Sequence, residues 1–286
     1  MGTAPDDALF RLLAPSRLTA VVDVGANPID GVPPYKPLLA KRLCRLVGFE
    51  PQPQALAALN AAKSEYETYL PTAVGDGQEG TLRICKAPGM TSLFKPDSRV
   101  LAQFDRFADW GRVVGEERVA TRRLDDIAEI EALDFLKIDV QGSELAVFRG
   151  GRERLSRAVA VQTEVSFVAL YEGQPTFGEI DVELRQMGFV PHAFAAVKKW
   201  AIAPVSMPAN QNSSTLNQLL EADVVYVRDF TRDDAMDAEQ LKHLALIAFH
   251  CYRSLDLAAN CVRRLATLGA VPADALARYA GLINKS

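Results

Sequence analysis

The sequence predicts an α/β fold: a mostly parallel sheet covered on both faces by helices, followed by a small helical unit at the C-terminus. Three observations predict it. Short β-type runs alternate with helical patterns over the first 230 residues, as crossover connections between parallel strands require. The runs at 46–49 and 135–140 are apolar without alternation, like strands buried on both sides. After Arg228 the acidic stretch "DFTRDDAMDAEQ" leads into three helical patterns with no strand between them.

The elements follow in order. "AVVDV", residues 20–24, is the first strand, and Gly25 ends it. Pro33 and Pro34 suit a helix entry, where a missing N–H costs nothing, and "YKPLLAKRLCRL" continues that helix. "LVGFE" is a strand, "PQALAALNAAK" a helix and "YETYLPTAVGD" a strand. After the turn "GDGQEG", "TLRICK" is a further strand, and a less regular stretch holds a helix around 101–110. The pattern resumes with "DFLKIDV" as a strand, "SELAVFRGG" as a short helix closed by glycine and "AVAVQTEV" as a strand. "FGEIDVELRQMG" is an amphipathic helix, and "FVPHAF", "KKWAIAP" and "ADVVYVRD" close the sheet. From 241 to 283, Leu241, Leu244, Ala248, Leu255, Ala258, Val262 and Leu265 fall on helix faces. A boundary near 230 divides the chain into a main domain, 1–230, and a helical extension, 231–286. The extension looks like one and a half hairpins of tetratricopeptide type. Too short to stand alone, it is expected to pack on the main domain or on a second copy in a homodimer.

With 49% apolar and 24% charged residues the chain reads as an ordinary globular protein. A net charge of −4 argues against nucleic acid as a partner, because phosphate binding needs a basic footprint. Cys44, Cys85, Cys251 and Cys261 form no C-x-x-C pair, and His192, His243 and His250 complete no zinc spacing. Cys44, Cys251 and Cys261 fall in helical patterns as small core residues. "MGTAPDDALFRLLAPSR" lacks the basic head and apolar run of a signal peptide, and no segment approaches a membrane span. A cytoplasmic setting without a membrane partner is the expectation.

In an open parallel sheet, ligands bind beyond the carboxyl ends of the strands. Here those ends carry Asp23, Gly25 and Asn27; Glu50 and Pro51; Gly75 and Asp76; Asp139, Gln141 and Glu144; and Glu164. An acid about 20–25 residues past a glycine turn, as Glu50 is, accepts hydrogen bonds from ribose hydroxyls. A pyrophosphate also wants free backbone N–H groups. Pro28, Pro33 and Pro34 remove such donors, and Asp23 repels phosphate. S-adenosylmethionine has no phosphate and carries a cationic sulfonium and an α-amino group, so it suits this loop better than NAD.

The blocks "VDVGANPIDG", "FEPQP", "AVGDGQEG", "MTSLF", "RRLDDI", "KIDVQGSE" and "QTEV" together resemble the FkbM-type family of S-adenosylmethionine-dependent methyltransferases, in the same order from Ala20 to Phe194. The resemblance implies a class I, Rossmann-like sheet with an antiparallel closing strand, and methyl transfer to an oxygen of a saccharide or other natural-product scaffold. Two departures stand out: Pro28 and a late Gly31 lengthen the first loop, and Gln141 replaces the family's Glu.

Asp23, Gly25 and Asn27 are expected at the methionine end of the cofactor, Glu50 and Pro51 at the ribose, and Ala73, Val74 and Asp76 at the adenine. Asp139 is expected to face the sulfonium and the acceptor, with Gln141 beside it. Ser92 either closes over the cofactor or is an ordinary loop serine. Glu144 serves either the cofactor or the dipole of the helix it opens. Asp125 and Asp126 are expected to be helix caps. The acceptor hydroxyl needs a proton acceptor, for which Asp139, Glu164 and His192 are candidates, although a lone strand histidine is more often structural. A shared Mg²⁺ between Asp139 and Glu164 is a secondary reading. The aromatic insert at 95–112 either caps the acceptor pocket or packs over the sheet edge. A scaffold module built on the same fold is the alternative function, and an NAD-dependent enzyme is disfavoured by the proline loop.

Overall fold

The computed structural model describes residues 7–27, 31–206 and 216–284. At its centre β1 (Thr19–Val24), β2 (Cys44–Phe49) and β3 (Glu67–Leu70) pair in parallel. On the other side of β1 lie β7 (Phe135–Ile138) and β8 (Ala160–Ser166), also parallel. The strand β10 (Leu219–Arg228) runs antiparallel to β8 and to the edge strand β9 (Phe189–Lys199). The seven-stranded order is therefore β3-β2-β1-β7-β8-β10-β9, a mostly parallel sheet with an antiparallel closing strand. A smaller sheet orders β4 (Ala73–Val74), β6 (Val113–Arg122) and β5 (Glu79–Cys85) as β4-β6-β5.

Alternation of side chains sorts each strand onto two faces. Val21, Phe135, Ala160 and Val227 share one level of the sheet by register and one face. They bury against Leu241, Leu244, Leu257, Val262 and Leu265 from α9 (Ala238–Tyr252) and α10 (Leu255–Thr267), with α11 (Ala275–Ile283) closing the layer through Tyr279. Each such side chain contributes about 1.5–3 kcal/mol on burial. On the opposite face Val22, Leu136, Val161 and Tyr226 pack on Val147 and Phe148 of α6 (Glu144–Arg149) and on Ile180 and Leu184 of α8 (Phe177–Gln186). The C-terminal helices and the sheet thus share one core. Capping boxes start two of the helices: Asp237 with Gln240 for α9 and Thr176 with Glu179 for α8. No helix among the described residues is long and apolar enough to cross a membrane.

Several boundaries differ from the sequence reading. The helix expected over "YKPLLAKRLCRL" is only α2 (Lys36–Ala40). Arg42 turns the chain with a φ of 58°, and Cys44 then enters β2 opposite Thr19. "YETYLPTAVGD" splits around Pro71: β3 stays in the main sheet, while β4 pairs with β6. The single helix expected at 101–110 is two short ones, α4 (Ser98–Leu101) and α5 (Phe107–Trp110), with Arg106 at a φ of 69° between them. The ten-residue β6 went unread because its exposed "GEER" hides the strand pattern. "FVPHAF" and the first two residues of "KKWAIAP" form one strand, β9, and Ile202 beyond it makes only an isolated bridge to Phe104.

Candidate active site

An open cleft of about 1360 Å³, a figure that includes open solvent at its mouth, lies beyond the carboxyl ends of β1, β2 and β7. Residues 23–27 line it, together with Glu50, Val74, Ser92, Lys137, Asp139 and Gln141. The chain reverses tightly at Gly25, whose φ is +80°. A Cβ there would lie 2.0 Å from the Asp139 carbonyl oxygen, so only glycine allows β1 and β7 to end this close together.

Asp23 is buried at the end of β1. Its Oδ2 accepts from the Tyr35 hydroxyl at 2.5 Å, and Lys137 Nζ stands 3.5 Å from its Oδ1. That Oδ1 has no hydrogen bond. Burial pushes the Asp23 carboxyl up, against the opposing pull of Lys137 and Tyr35. Burial also acts to lower Lys137, but Asp23 and then Asp139 outweigh it and leave the ammonium raised. Glu50 is buried at the tip of β2, where its Oε1 accepts from Gln52 N at 2.7 Å. Burial raises its pKa, and backbone hydrogen bonds from Gln52 and Asn27 work in the opposite direction.

The loop after β7 is pinned from several sides. Gln141 and Gly142 both have positive φ, 54° and 107°. Ser92 Oγ donates to the Gln141 carbonyl at 2.6 Å, and Gln141 Nε2 donates to Asp139 Oδ1 at 2.7 Å and to Glu164 Oε2 at 2.9 Å. Glu164 Oε1 accepts from Lys198 Nζ at 2.8 Å, and Lys198 also approaches Glu221 at 3.6 Å. Burial, then the Asp139 and Glu221 charges, hold the Glu164 carboxyl well above its ordinary range, with Lys198 opposing. Glu144 folds back from α6, and its Oε1 accepts from Val140 N at 2.9 Å and Gly142 N at 3.2 Å. Burial pushes it up to about 7.

The cleft thus brings together Asp23, Gly25, Asn27, Glu50, Pro51, Val74, Ser92, Asp139 and Gln141. Other expected site residues lie elsewhere. Asp76 serves its own turn, accepting from Gln78 N at 2.9 Å, and Glu144 holds the loop rather than lining the cleft. Glu164 sits behind Gln141 and does not line the cleft. His192 is bonded to Ser254 Oγ at 2.9 Å, at the start of α10, and does not line the cleft. Asp139 and Glu164 hold between them the Gln141 amide, whose two N–H bonds take the position a shared cation would need. Among the described residues no group of three or more His, Cys, Asp or Glu is arranged to hold a metal. Asp125 caps, but for α7 (Arg152–Leu155), accepting from Glu153 N and Arg154 N. The pocket wall comes from Pro88, Gly89, Thr91 and Leu93, while 95–112 packs with Trp200 into a separate aromatic cluster. Pro28 lies outside the described residues.

Sequence reading missed Tyr35, Gln162 and Asp223. Gln162 left a visible signal, an amide inside the apolar run "AVAVQTEV"; Tyr35 left none.

The strand order, the antiparallel closing strand and the carboxylates at the ends of the first, second and fourth main-sheet strands define a class I methyltransferase fold. The Methyltransferase FkbM domain matches residues 23–191, more than half of the chain, and the chain belongs to that family. It is 30% identical over 167 residues to the 2-O-methyltransferase NoeI of Sinorhizobium fredii (strain NBRC 101917 / NGR234), a match covering 54% of this chain and 66% of that protein's length. Among solved structures it is similar to the methyltransferase FkbM of Methylobacillus flagellatus KT, with a TM-score of 0.40 at 13% identity over 73% of this chain and 43% of that one. It is also similar to M. jannaschii TYW2 in complex with AdoMet, with a TM-score of 0.32 at 12% identity over 80% and 78% of the two chains.

Proposed function

We propose that the protein transfers a methyl group from S-adenosylmethionine to a hydroxyl oxygen of a saccharide or glycosylated metabolite. The observation that carries the reading is the buried Asp23 carboxylate at the cleft, whose Oδ1 makes no hydrogen bond and has the Lys137 ammonium only at 3.5 Å. A buried carboxylate oxygen left this way is costly, and a cationic ammonium donor would satisfy it. Glu50 at the tip of β2 fits ribose hydroxyls, and Asp23 with Glu50 disfavours the phosphates of a dinucleotide. S-adenosylmethionine bound there supplies a methyl group on a positively charged sulfur.

The chain's own residues do the rest. Ser92 and Glu144 fix the backbone of the 140–142 loop, and through it the place of Asp139. Of the carboxylates bordering the cleft, Asp139, at the end of β7 and away from the cofactor contacts given to Asp23 and Glu50, is assigned the hydroxyl proton. Fixed positions and exclusion of water supply most of the acceleration expected for methyl transfer. Similarity to a 2-O-methyltransferase supports oxygen as the methylated atom.

The test has two stages. S-adenosylmethionine and S-adenosylhomocysteine should each raise the melting temperature while NAD leaves it unchanged. A panel of glycosides, incubated with S-adenosylmethionine and read by mass, should then show addition of one methyl group to a neutral sugar. Stabilisation by NAD alone would overturn the reading.

A further inference from the structure

Strand β8 is buried along its whole length, yet it carries Gln162 on the face that the C-terminal helices cover. Register places Gln162 beside Lys137 and, through it, level with Asp23, so the three side chains share one face and line the cleft together. The Tyr252 hydroxyl donates to Gln162 Oε1 at 2.9 Å. Tyr252 is the last residue of α9; its ring stands edge-on to Phe135 at 6.0 Å, and Arg253, with a φ of 51°, turns the chain away behind it. With the Tyr252 hydroxyl donating, Oε1 faces Tyr252 and the NH₂ faces the other way. Gln162 Nε2 has no hydrogen-bond partner among the described residues. Among the described residues, the cleft beside it is lined by the carboxylates Asp23, Glu50, Asp139 and Asp223 against one cation, Lys137.

We propose that Gln162, oriented by Tyr252 from the C-terminal helices, is the hydrogen-bond donor that seats the methyl acceptor, and that the acceptor is an uncharged polyol. The inference rests on the methyltransferase reading and deepens it. The Gln162 NH₂ donates to an acceptor oxygen, Asp139 accepts from its hydroxyl, and the negative field of the cleft repels phosphorylated or carboxylated compounds. The helical extension is then a working part of the acceptor site.

The test is a double-mutant cycle on the full chain with saturating S-adenosylmethionine and the methyl pyranosides of glucose, galactose, mannose and rhamnose, together with glucuronic acid and glucose 6-phosphate. Turnover is expected with a neutral glycoside and not with the two anions. For the best glycoside, Gln162→Leu should raise KM about tenfold, the loss of one neutral hydrogen bond, with kcat changed less than twofold. Tyr252→Phe should raise KM about threefold, because the amide is free to turn over. The double variant should match Gln162→Leu alone, because Tyr252 acts only through Gln162. Affinity for S-adenosylhomocysteine, read by calorimetry, should stay within twofold in all variants. Additive KM effects, equal loss of S-adenosylhomocysteine affinity, or preference for the anionic sugars would overturn the proposal. If the wild type binds S-adenosylhomocysteine but methylates no glycoside of the panel, this proposal and the saccharide assignment fall while the cofactor assignment stands. If it binds neither sulfur nucleoside, the methyltransferase reading itself fails.

Discussion

Replacing Gln141 by Glu puts a third carboxylate where an amide now joins two. In the wild type, Gln141 Nε2 donates at 2.7 Å to Asp139 and at 2.9 Å to Glu164. Hydrogen bonds to charged groups contribute about 1.5–3 kcal/mol each, and both are lost. An oxygen in the same place repels its neighbours by roughly 6 kcal/mol per pair at an effective dielectric constant of 20. The cheapest relief is uptake of one proton. Holding a carboxyl of ordinary pKa protonated costs about 5 kcal/mol at pH 8 and about 1.5 kcal/mol at pH 5.5. Proton uptake, easiest at Glu164, whose carboxyl already sits well above the ordinary range, therefore caps the destabilisation below about 5 kcal/mol in alkaline buffer and below about 1.5 kcal/mol in acid. Urea unfolding at the two pH values, beside Gln141→Leu as a charge-free control, reads both. Millimolar Mg²⁺ should restore part of the loss in Gln141→Glu at pH 8, because three carboxylates offer oxygen ligands, and should not stabilise the wild type. A Gln141→Glu protein within 0.5 kcal/mol of wild type at pH 8, or equally unstable at both pH values, would refute the bridging role.

Other variants test other parts of the site. Glu144 has its pKa raised from 4.5 to about 7, so the stability it contributes is fully present below 4.5 and lost as pH rises through 7. Glu144→Gln keeps the acceptor for Val140 N and Gly142 N. Its unfolding free energy should fall less between pH 5 and pH 8 than that of the wild type, by about 3 kcal/mol; an unchanged slope would disprove the assignment. Gly25→Ala forces a Cβ to 2.0 Å from the Asp139 carbonyl at a φ of +80° and should lower stability by at least about 2 kcal/mol in thermal unfolding. Asp23→Asn should fold, yet bind S-adenosylmethionine at least about tenfold more weakly by calorimetry, because a charge-assisted hydrogen bond is lost. Undiminished affinity would remove Asp23 from the cofactor site.

The sheet was readable because parallel strands buried on both faces leave uninterrupted apolar runs, and the polar residues that break them at Asp23, Glu50 and Asp139 mark the ligand end. What local pattern could not give were features decided across the fold. Cys44 looks helical beside "LAKRL" until pairing with Thr19 claims it for β2. Strand β6 is a surface ribbon whose exposed charges carry no apolar alternation. Tyr35 meets Asp23 only once the chain entering α2 folds back to the end of β1, and Tyr252 meets Gln162 across 90 positions of chain. His192 runs the other way: its chemistry suits a base, but β9 places it against Ser254 and outside the cleft lining.

A crystal structure of the protein soaked with S-adenosylhomocysteine tests the central claim most directly. Density for the nucleoside is expected in the cleft, with the ribose hydroxyls on Glu50 and the α-amino group on Asp23. A cleft left empty at saturating concentration, or the nucleoside bound with its amino group away from Asp23, would contradict it.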